Sequence, residues 1–550
     1  MNYKRFLAIL TFLLSGLSLL AQDLTPKLKG IIFHSSVKAV LPEGVTDSSQ
    51  AGIQFIGVNP PEQTALTAKL EAHLGKKTTK KDLDKMVNEI ILHYREANYP
   101  VVDIFTPPQA VKNGIIQMVA LESTLDELTI EGNKHFSSQQ IEKFLNLKSG
   151  DSINQDELNV RLNQLNKNPY RTVDVSYEEG NKPKTTNAIV KVDDSLPLKY
   201  TLGFDDSGNA LTEDERISAS FNWGNVFNTG HVFNYTYSGD PLAKYLKSNS
   251  VSYSINFPWG HDLTLSGNYA RNGADLPDPA LNVAGKSLGG GINYSLGLPP
   301  LPFLEEYTQS LVLGYNFSRS NNLLEFNQIQ VSNTITDTSE LKLTYNGSMP
   351  DKYGMTIFST TITYSPGDTT GHNTSRELRA SGASSSTYAY TLFNLNRITV
   401  LPQKWMTNTT IQYQMATENL PGGGKLGAGG YLTLPGYDER EANGDRGLIL
   451  LQDITTPPVS PSSYFKKEWG DQLTGRIFWG YSDVSVKQIN ATTLNPHISM
   501  MSVGTGFRYN VGTNVSFRFD YGWQLKDSGV SSLTRRTDNS RGHFALSVSY

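Results

Sequence analysis

Strict alternation of apolar and polar residues runs through the C-terminal two-thirds of this chain, and few folds accept it over so many segments. Val515, Phe517, Phe519, Tyr521 and Trp523 take every second position of one stretch. Val251, Tyr253, Ile255 and Phe257 do the same around Ser252, Ser254 and Asn256, and Leu311, Leu313, Tyr315 and Phe317 repeat the pattern. Phe358, Ile362 and Tyr364 continue it, as do Leu473, Ile477, Trp479 and Tyr481, and then Val503, Phe507, Tyr509 and Val511. Successive side chains of a strand point to opposite faces, so each stretch carries one apolar face and one of hydroxyls, amides and glycines. In a soluble sandwich the apolar faces would meet in a core. In a membrane barrel they meet lipid, and the polar faces line a wet lumen. Periodicity alone leaves both open.

Three further features favour the barrel: the N-terminal segment, the many aromatics at strand ends and the terminal strand. Lys4 and Arg5 precede an apolar run from Phe6 to Leu20, which ends Leu20-Ala21-Gln22. That is the layout of a secretory signal peptide over residues 1–21, with cleavage expected after Ala21. The run is short beside the roughly 20 apolar residues of a spanning helix. No second long apolar run follows, and only helices and closed barrels satisfy every backbone polar group in hydrocarbon. The last stretch, Phe544, Leu546, Val548 and Tyr550, alternates to the final residue. Such an ending resembles the recognition signal of bacterial outer-membrane proteins, which makes the barrel-assembly machinery a predicted partner through Tyr550, beside outer-membrane lipid. The mean hydropathy of −0.36, with 27 Tyr and 47 Gly, suits strands that are apolar on one side only.

Residues up to about 195 have another texture. Thr79-Lys80-Lys81-Asp82 reads as a capping box with Asp in the Glu position. Leu83, Met86, Val87, Ile90, Ile91 and Tyr94 follow at helical spacing, up to Ala97-Asn98-Tyr99-Pro100. Val101–Phe105 and Gly114–Val119 read as strands around Pro107-Pro108-Gln109. A second unit starts with a strand at Leu128–Glu131 and a second capping box, Ser137 to Gln140, leading into Ile141, Phe144 and Leu145. Leu158, Leu162 and Leu165 mark a helix, and Val173–Tyr177 and Ala188–Val192 alternate as strands. Each unit is β-α-α-β-β over about 75 residues, enough for a core. The predicted fold class is therefore α+β domains followed by an all-β transmembrane barrel. Lys29–Phe33 and Val37–Val40 read as short strands within an unassigned N-terminal extension, residues 22–50.

These stretches resemble the outer-membrane transporters of two-partner secretion, the haemolysin and filamentous-haemagglutinin secretion family. Gly52–Gly57, the helix at 82–95, Pro107-Pro108-Gln109 and Asn113–Ile116 look like that family's first polypeptide-transport-associated (POTRA) domain, residues 51–122. Residues 123–195, with Leu158…Leu162-Asn163…Leu165-Asn166 and Tyr170–Val173, look like the second. Gln412-Tyr413-Gln414, Asn419-Leu420-Pro421, Leu426–Gly430 and Leu434-Pro435-Gly436-Tyr437 carry it into the barrel, residues 196–550, as does Phe517-x-x-Asp520-x-Gly522. The resemblance implies a barrel of about sixteen antiparallel strands. It also implies a long loop after the eleventh strand that folds back into the lumen. In the family an Arg at the loop tip pairs with the strand Asp, here Asp520. Pro435 stands at that Arg position, so Arg440, three residues past Tyr437, is the expected substitute, with Arg518 on Asp520's own strand as another candidate.

The implied function is export of an unfolded partner polypeptide, a secreted exoprotein captured in the periplasm by the POTRA domains, from a protein of the cell outer membrane. Pro107, Pro108 and Gln109 are the candidate client-binding residues; Leu434, Gly436, Tyr437, Arg440, Phe517, Asp520 and Gly522 are the candidate loop and wall residues. An insertase of outer-membrane barrels is the alternative, though such proteins usually carry more POTRA units and the intact Arg tip. A passive porin would need no POTRA domains. No nucleophile–base–orienter set suggests an enzyme. A net charge of −4 offers no footprint for nucleic acid, and no cofactor is expected. The absence of cysteine excludes disulfides and thiolate metal sites, and the nine His show no paired metal spacing. Gly422-Gly423-Gly424 and Gly427–Gly430 lack the following helix that a phosphate loop needs. Gly285-Lys286-Ser287 lacks the leading glycine, because position 280 is Ala.

Overall fold

The computed structural model describes residues 23–550 apart from 26, 47–50, 100, 183, 210, 275, 277, 279, 300, 302, 303, 305, 490–495 and 531–537. The predicted leader segment 1–21, its expected cleavage after Ala21, and Pro100 lie outside the described residues. Two compact units, residues 1–195 and 196–550, divide the chain.

The first unit holds two small α+β domains. One is built on β1 (Gly30–His34), β2 (Gly52–Ile56), β3 (Val102–Phe105) and β4 (Ile115–Glu122), in the sheet order β2-β1-β4-β3. Helices α1 (Gln63–Glu71) and α2 (Lys80–Glu96) cover one face, where Ile31, Phe33, Leu66, Met86, Ile90, Tyr94 and Met118 pack together. The predicted capping box is complete: Thr79 Oγ1 accepts from the Asp82 N–H at 3.3 Å, and the Thr79 N–H donates to Asp82 Oδ2 at 3.0 Å.

Residues 30–34, set apart from this domain in the sequence reading, form an inner strand of its sheet. Ile31 and Phe33 face the helices, while Ile32 packs against Val45 and Ile115 on the other side. A strand buried on both faces reads as a continuous apolar run, not as an alternation. Val37–Ala39, expected as a strand, is an exposed 3-10 turn closed by Ala39 N–H to Ser36 O at 3.2 Å.

The second domain runs β5 (Thr124–Glu131), α3 (Ser138–Leu145), α4 (Gln155–Asn166), β6 (Arg171–Glu179), β7 (Thr185–Asp194), with β7 central. Ser137 caps α3 by accepting from the Gln140 N–H, but Gln140 does not reciprocate, so this is a cap and not a box. Asp194 gathers the backbone N–H groups of Lys134, His135 and Phe136 at 2.9–3.0 Å. Burial alone would raise its carboxyl; the N–H donors outweigh that and hold it below the usual carboxylate range.

The second unit is a closed barrel of sixteen antiparallel strands. The first strand, Leu198–Asp205, pairs with the last, Ser540–Ser549, from Thr201↔Ser549 to Asp205↔Ala545, so the sheet has no free edge. Its register explains the alternation. Tyr253, Leu265, Ile292, Tyr315, Leu341 and Tyr364 are cross-strand partners and form one outward row. The adjacent row is Ser254, Thr264, Asn293, Gly314, Lys342 and Thr363, facing the lumen. Leu341 is 51% and Ile292 52% exposed, a surface that only lipid can accommodate over a whole belt. No described helix is long and apolar enough to cross a membrane, and the strands do so instead.

Candidate functional site: the lumenal loop and its wall

Between the eleventh strand, Met406–Ala416, and the twelfth, Arg446–Thr455, residues 417–445 fold back inside the barrel. Asp445 staples the loop base, accepting from Leu420 N–H and Lys487 N–H, each at 2.8 Å. Leu426–Ala428 and Ala442–Gly444 then pair as a small hairpin. Leu434 and Tyr437, both fully buried, pack with Ile449, Val484, Ile498 and Met500 of the inner wall. The Tyr437 hydroxyl lies 2.8 Å from Met501 O, to which it donates, and accepts from the Met501 N–H at 3.1 Å; it also meets Lys526 O.

The tip touches the wall through backbone. A Cβ on Gly522 would lie 2.6 Å from Pro435 O and 2.7 Å from the Gly436 N, and Gly436 has φ +105, a conformation glycine tolerates. Gln524 Nε2 donates to Gly436 O at 2.8 Å, and the Gly436 N–H donates to His543 Nε2 at 3.2 Å. With Nε2 accepting, the His543 proton sits on Nδ1 and points at Asp206, 3.1 Å away. One residue beyond Tyr437, Asp438 forms a buried ion pair with Arg541 of the last strand. Arg541 also donates to Asp206 O at 3.1 Å and pairs with Asp214 at 3.4 Å. The latch thus spans the loop, the last strand and the loop after the first strand.

The structure therefore brings Leu434, Gly436, Tyr437 and Gly522 together, but not Arg440 and Asp520. Arg440 donates to Lys425 O at 3.0 Å, bracing the loop's own hairpin. Asp520 pairs instead with Arg476 of the thirteenth strand at 3.1 Å, and Arg476 reaches Asp453 of the twelfth at 3.1 Å. With Pro435 at the tip, the cation comes from the wall. Arg518 is the other correction: it lies over the Tyr431 ring at 3.1 Å from the centroid, and Arg508 donates to the Tyr431 hydroxyl at 2.8 Å. Phe517 packs against Phe507 on the lipid face, away from the loop, with ring centroids 5.8 Å apart and the planes tilted by 54°. Arg476, Arg541, His543 and Asp206 were missed by sequence reasoning. Arg476 had a signal, since it lies at polar parity between Gly475 and Ile477 on an alternating strand.

In the N-terminal unit, Pro107 and Pro108 border a cavity of about 480 Å3 with Leu83, Val87, Ile104 and Phe105, between α2 and the edge strand β3. Gln109 turns inward: its Nε2 donates to Gln117 O at 2.6 Å and its Oε1 accepts from Gln117 N–H at 2.8 Å, imitating one more rung on β4.

The family described as "Haemolysin secretion/activation protein ShlB/FhaC/HecB" matches residues 185–508, more than half of the chain. A ShlB-type POTRA domain matches residues 51–123, and a second POTRA description, surface antigen variable number repeat, matches 123–194. The chain is 23% identical over 493 residues to the heme/hemopexin transporter protein HuxB of Haemophilus influenzae, covering 87% of this chain and 82% of that protein. It is 21% identical over 448 residues to the outer membrane transporter CdiB of Dickeya dadantii, covering 76% of each. The solved structure of CdiB from Escherichia coli superposes with a TM-score of 0.75 at 12% identity, over 97% of this chain and 92% of that one. The chain belongs to the haemolysin secretion/activation family, the outer-membrane transporters of two-partner secretion, with its POTRA domains in the periplasm.

Proposed function

We propose that this transporter takes an extended exoprotein onto the edge of β3 and passes it through the lumen when the 417–445 loop leaves its seat. The cavity beside β3 carries the first half of the reading. An edge strand offers unpaired N–H and C=O groups with little demand on sequence, and the apolar walls from Leu83, Val87 and Phe105 accept alternate side chains. Pro107 and Pro108 border that groove and Gln109 holds its shape. The second half rests on the tip contacts, which are backbone hydrogen bonds, one buried ion pair and two facing glycines, all reversible. No ATP is present in the periplasm, so folding of the client outside is the direction-giving step. Residues 51–122, with Gly30–His34 added, and residues 123–195 are the two capture domains, and 196–550 is the conduit. Assembly through the strand ending at Tyr550 and contact with outer-membrane lipid complete the partner set.

The test compares culture supernatants of cells with and without this protein, alongside a photo-crosslinking residue placed at Asp103 in β3. Loss of one large secreted protein, and its capture from Asp103, is the expected result. Unchanged supernatants with a general depletion of outer-membrane barrels would make the protein an insertase.

A further inference from the structure

The barrel's outward face carries a charged row that lies apart from the lumenal loop and its wall. Lys247, Arg271 and Lys286 lie on the fourth (Leu246–Asn256), fifth (His261–Gly273) and sixth (Leu281–Gly297) strands. The register makes them direct partners, Lys247↔Arg271 and Arg271↔Lys286, with Asn321 next in line. Their parity is that of Tyr253, Leu265 and Ile292, so all three leave the barrel on its lipid side. All three are exposed.

Among the described residues no carboxylate pairs with any of them. The described acids of the adjoining segments are engaged elsewhere. Asp240 accepts from the backbone N–H groups of Lys244 at 2.7 Å and Tyr245 at 2.8 Å, Asp278 accepts from Ala280 N–H at 2.9 Å, and Glu325 takes the Asn282 amide at 2.7 Å. Like charges directly opposite on neighbouring strands repel. A row of three is therefore a feature that a counter-charge would relieve.

Shape and height say what the counter-charge is. Above the row the outward positions shrink to Gly273 and Ala284, which leaves a notch of about 400 Å3 walled by Tyr245 and Leu323, with Lys244 at its lip. Below it the next outward row is Asn249, Tyr269 and Leu288, and the apolar belt follows. The chain enters the barrel from its periplasmic domains at the start of the first strand, so the end of the fifth strand and the start of the sixth face the outside. The cations thus stand at the outer boundary of the lipid band, just beyond an aromatic residue, at the height of outer-leaflet headgroups.

We infer that Lys247, Arg271 and Lys286 form a binding site for the phosphate of an anionic outer-leaflet lipid, whose sugar or glycerol headgroup occupies the notch and whose chains lie on Leu288 and Leu265. Strands about 4.8 Å apart set three cations around one phosphate, and arginine adds its planar fork of donors. Lys286 is thus given a phosphate-binding role as part of a strand, not of a nucleotide loop.

The test uses the full chain in an uncharged detergent, titrated with diphosphorylated lipid A in mixed micelles while thermal unfolding is followed by gel mobility. Phosphorylated lipid A raises Tm in a saturable way, and dephosphorylated lipid A does not. The K247Q/R271Q/K286Q variant, relieved of its own repulsion, melts no lower than the parent without lipid but binds about a hundredfold more weakly, at roughly a factor of five per cation. K352Q, at the periplasmic rim, keeps the full response. An equal response in the triple variant, or to dephosphorylated lipid A, overturns the site. An equal shift from inorganic phosphate alone overturns the lipid as its occupant.

Discussion

Arg476 is the residue on which the inner wall turns. It stands 3.1 Å from both Asp453 and Asp520 and is itself only 5% exposed, so one guanidinium bridges two buried carboxylates on different strands. Removing one partner of a buried pair costs about 3–5 kcal/mol, because the remaining charges stay buried. Arg476→Gln is expected to lower the barrel's unfolding midpoint in a gel-mobility melt, while Arg440→Ala, which removes only a contact to Lys425 O, leaves it nearly unchanged. The reverse order would restore Arg440 as the partner of Asp520. His34 makes a second residue-scale prediction. Burial in the first domain lowers its pKa below the ordinary 6.5, so the folded domain holds it neutral. The unfolded chain then binds the extra proton first. Stability is present above pH 6.5 and declines as pH falls through the lowered value. Limited proteolysis of the periplasmic region should accelerate between pH 7 and pH 5, and His34→Asn should flatten that dependence.

At the scale of the element, the 417–445 loop is held by contacts of unequal kind. Leu434 and Tyr437 are buried anchors, each worth about 1.5–3 kcal/mol of apolar burial, whereas Asp438–Arg541 supplies direction. Gly522→Val places carbon where Pro435 O and the Gly436 backbone now lie, so the tip must withdraw. Ion conductance in planar bilayers should rise in this variant; an unchanged closed state would show that the tip does not seal. Asp438→Arg and Arg541→Asp should each loosen the loop in the same assay, and the double reversal should recover part of the seal. No recovery would mean that Arg541 serves Asp206 and Asp214 more than the loop. The element was legible in outline. The glycines at 427, 429 and 430 and the Leu434–Tyr437 segment mark a tight chain reversal, but the partner of each charge was not legible, because strand neighbours are set by register across the barrel and not by distance along the chain.

Across the whole molecule, the periodicity of side chains determined most of the fold by itself. Alternation at every second residue specifies strands with one apolar face, a final strand that alternates to Tyr550 supplies the closing partner of Leu198–Asp205, and helical spacing behind Thr79 specifies α2. These follow from local geometry, which a sequence carries directly. β1 escaped assignment to its domain because burial on both faces erases the alternation, and only its parallel pairing with β2 and β4 places it. The Arg476 bridge, the His543–Asp206 support of the loop tip and the Lys247–Arg271–Lys286 row were likewise decided by tertiary structure. Each joins residues from different strands or the loops between them, and their meeting depends on the register and closure of sixteen strands, a property of the completed barrel that no single stretch of sequence contains.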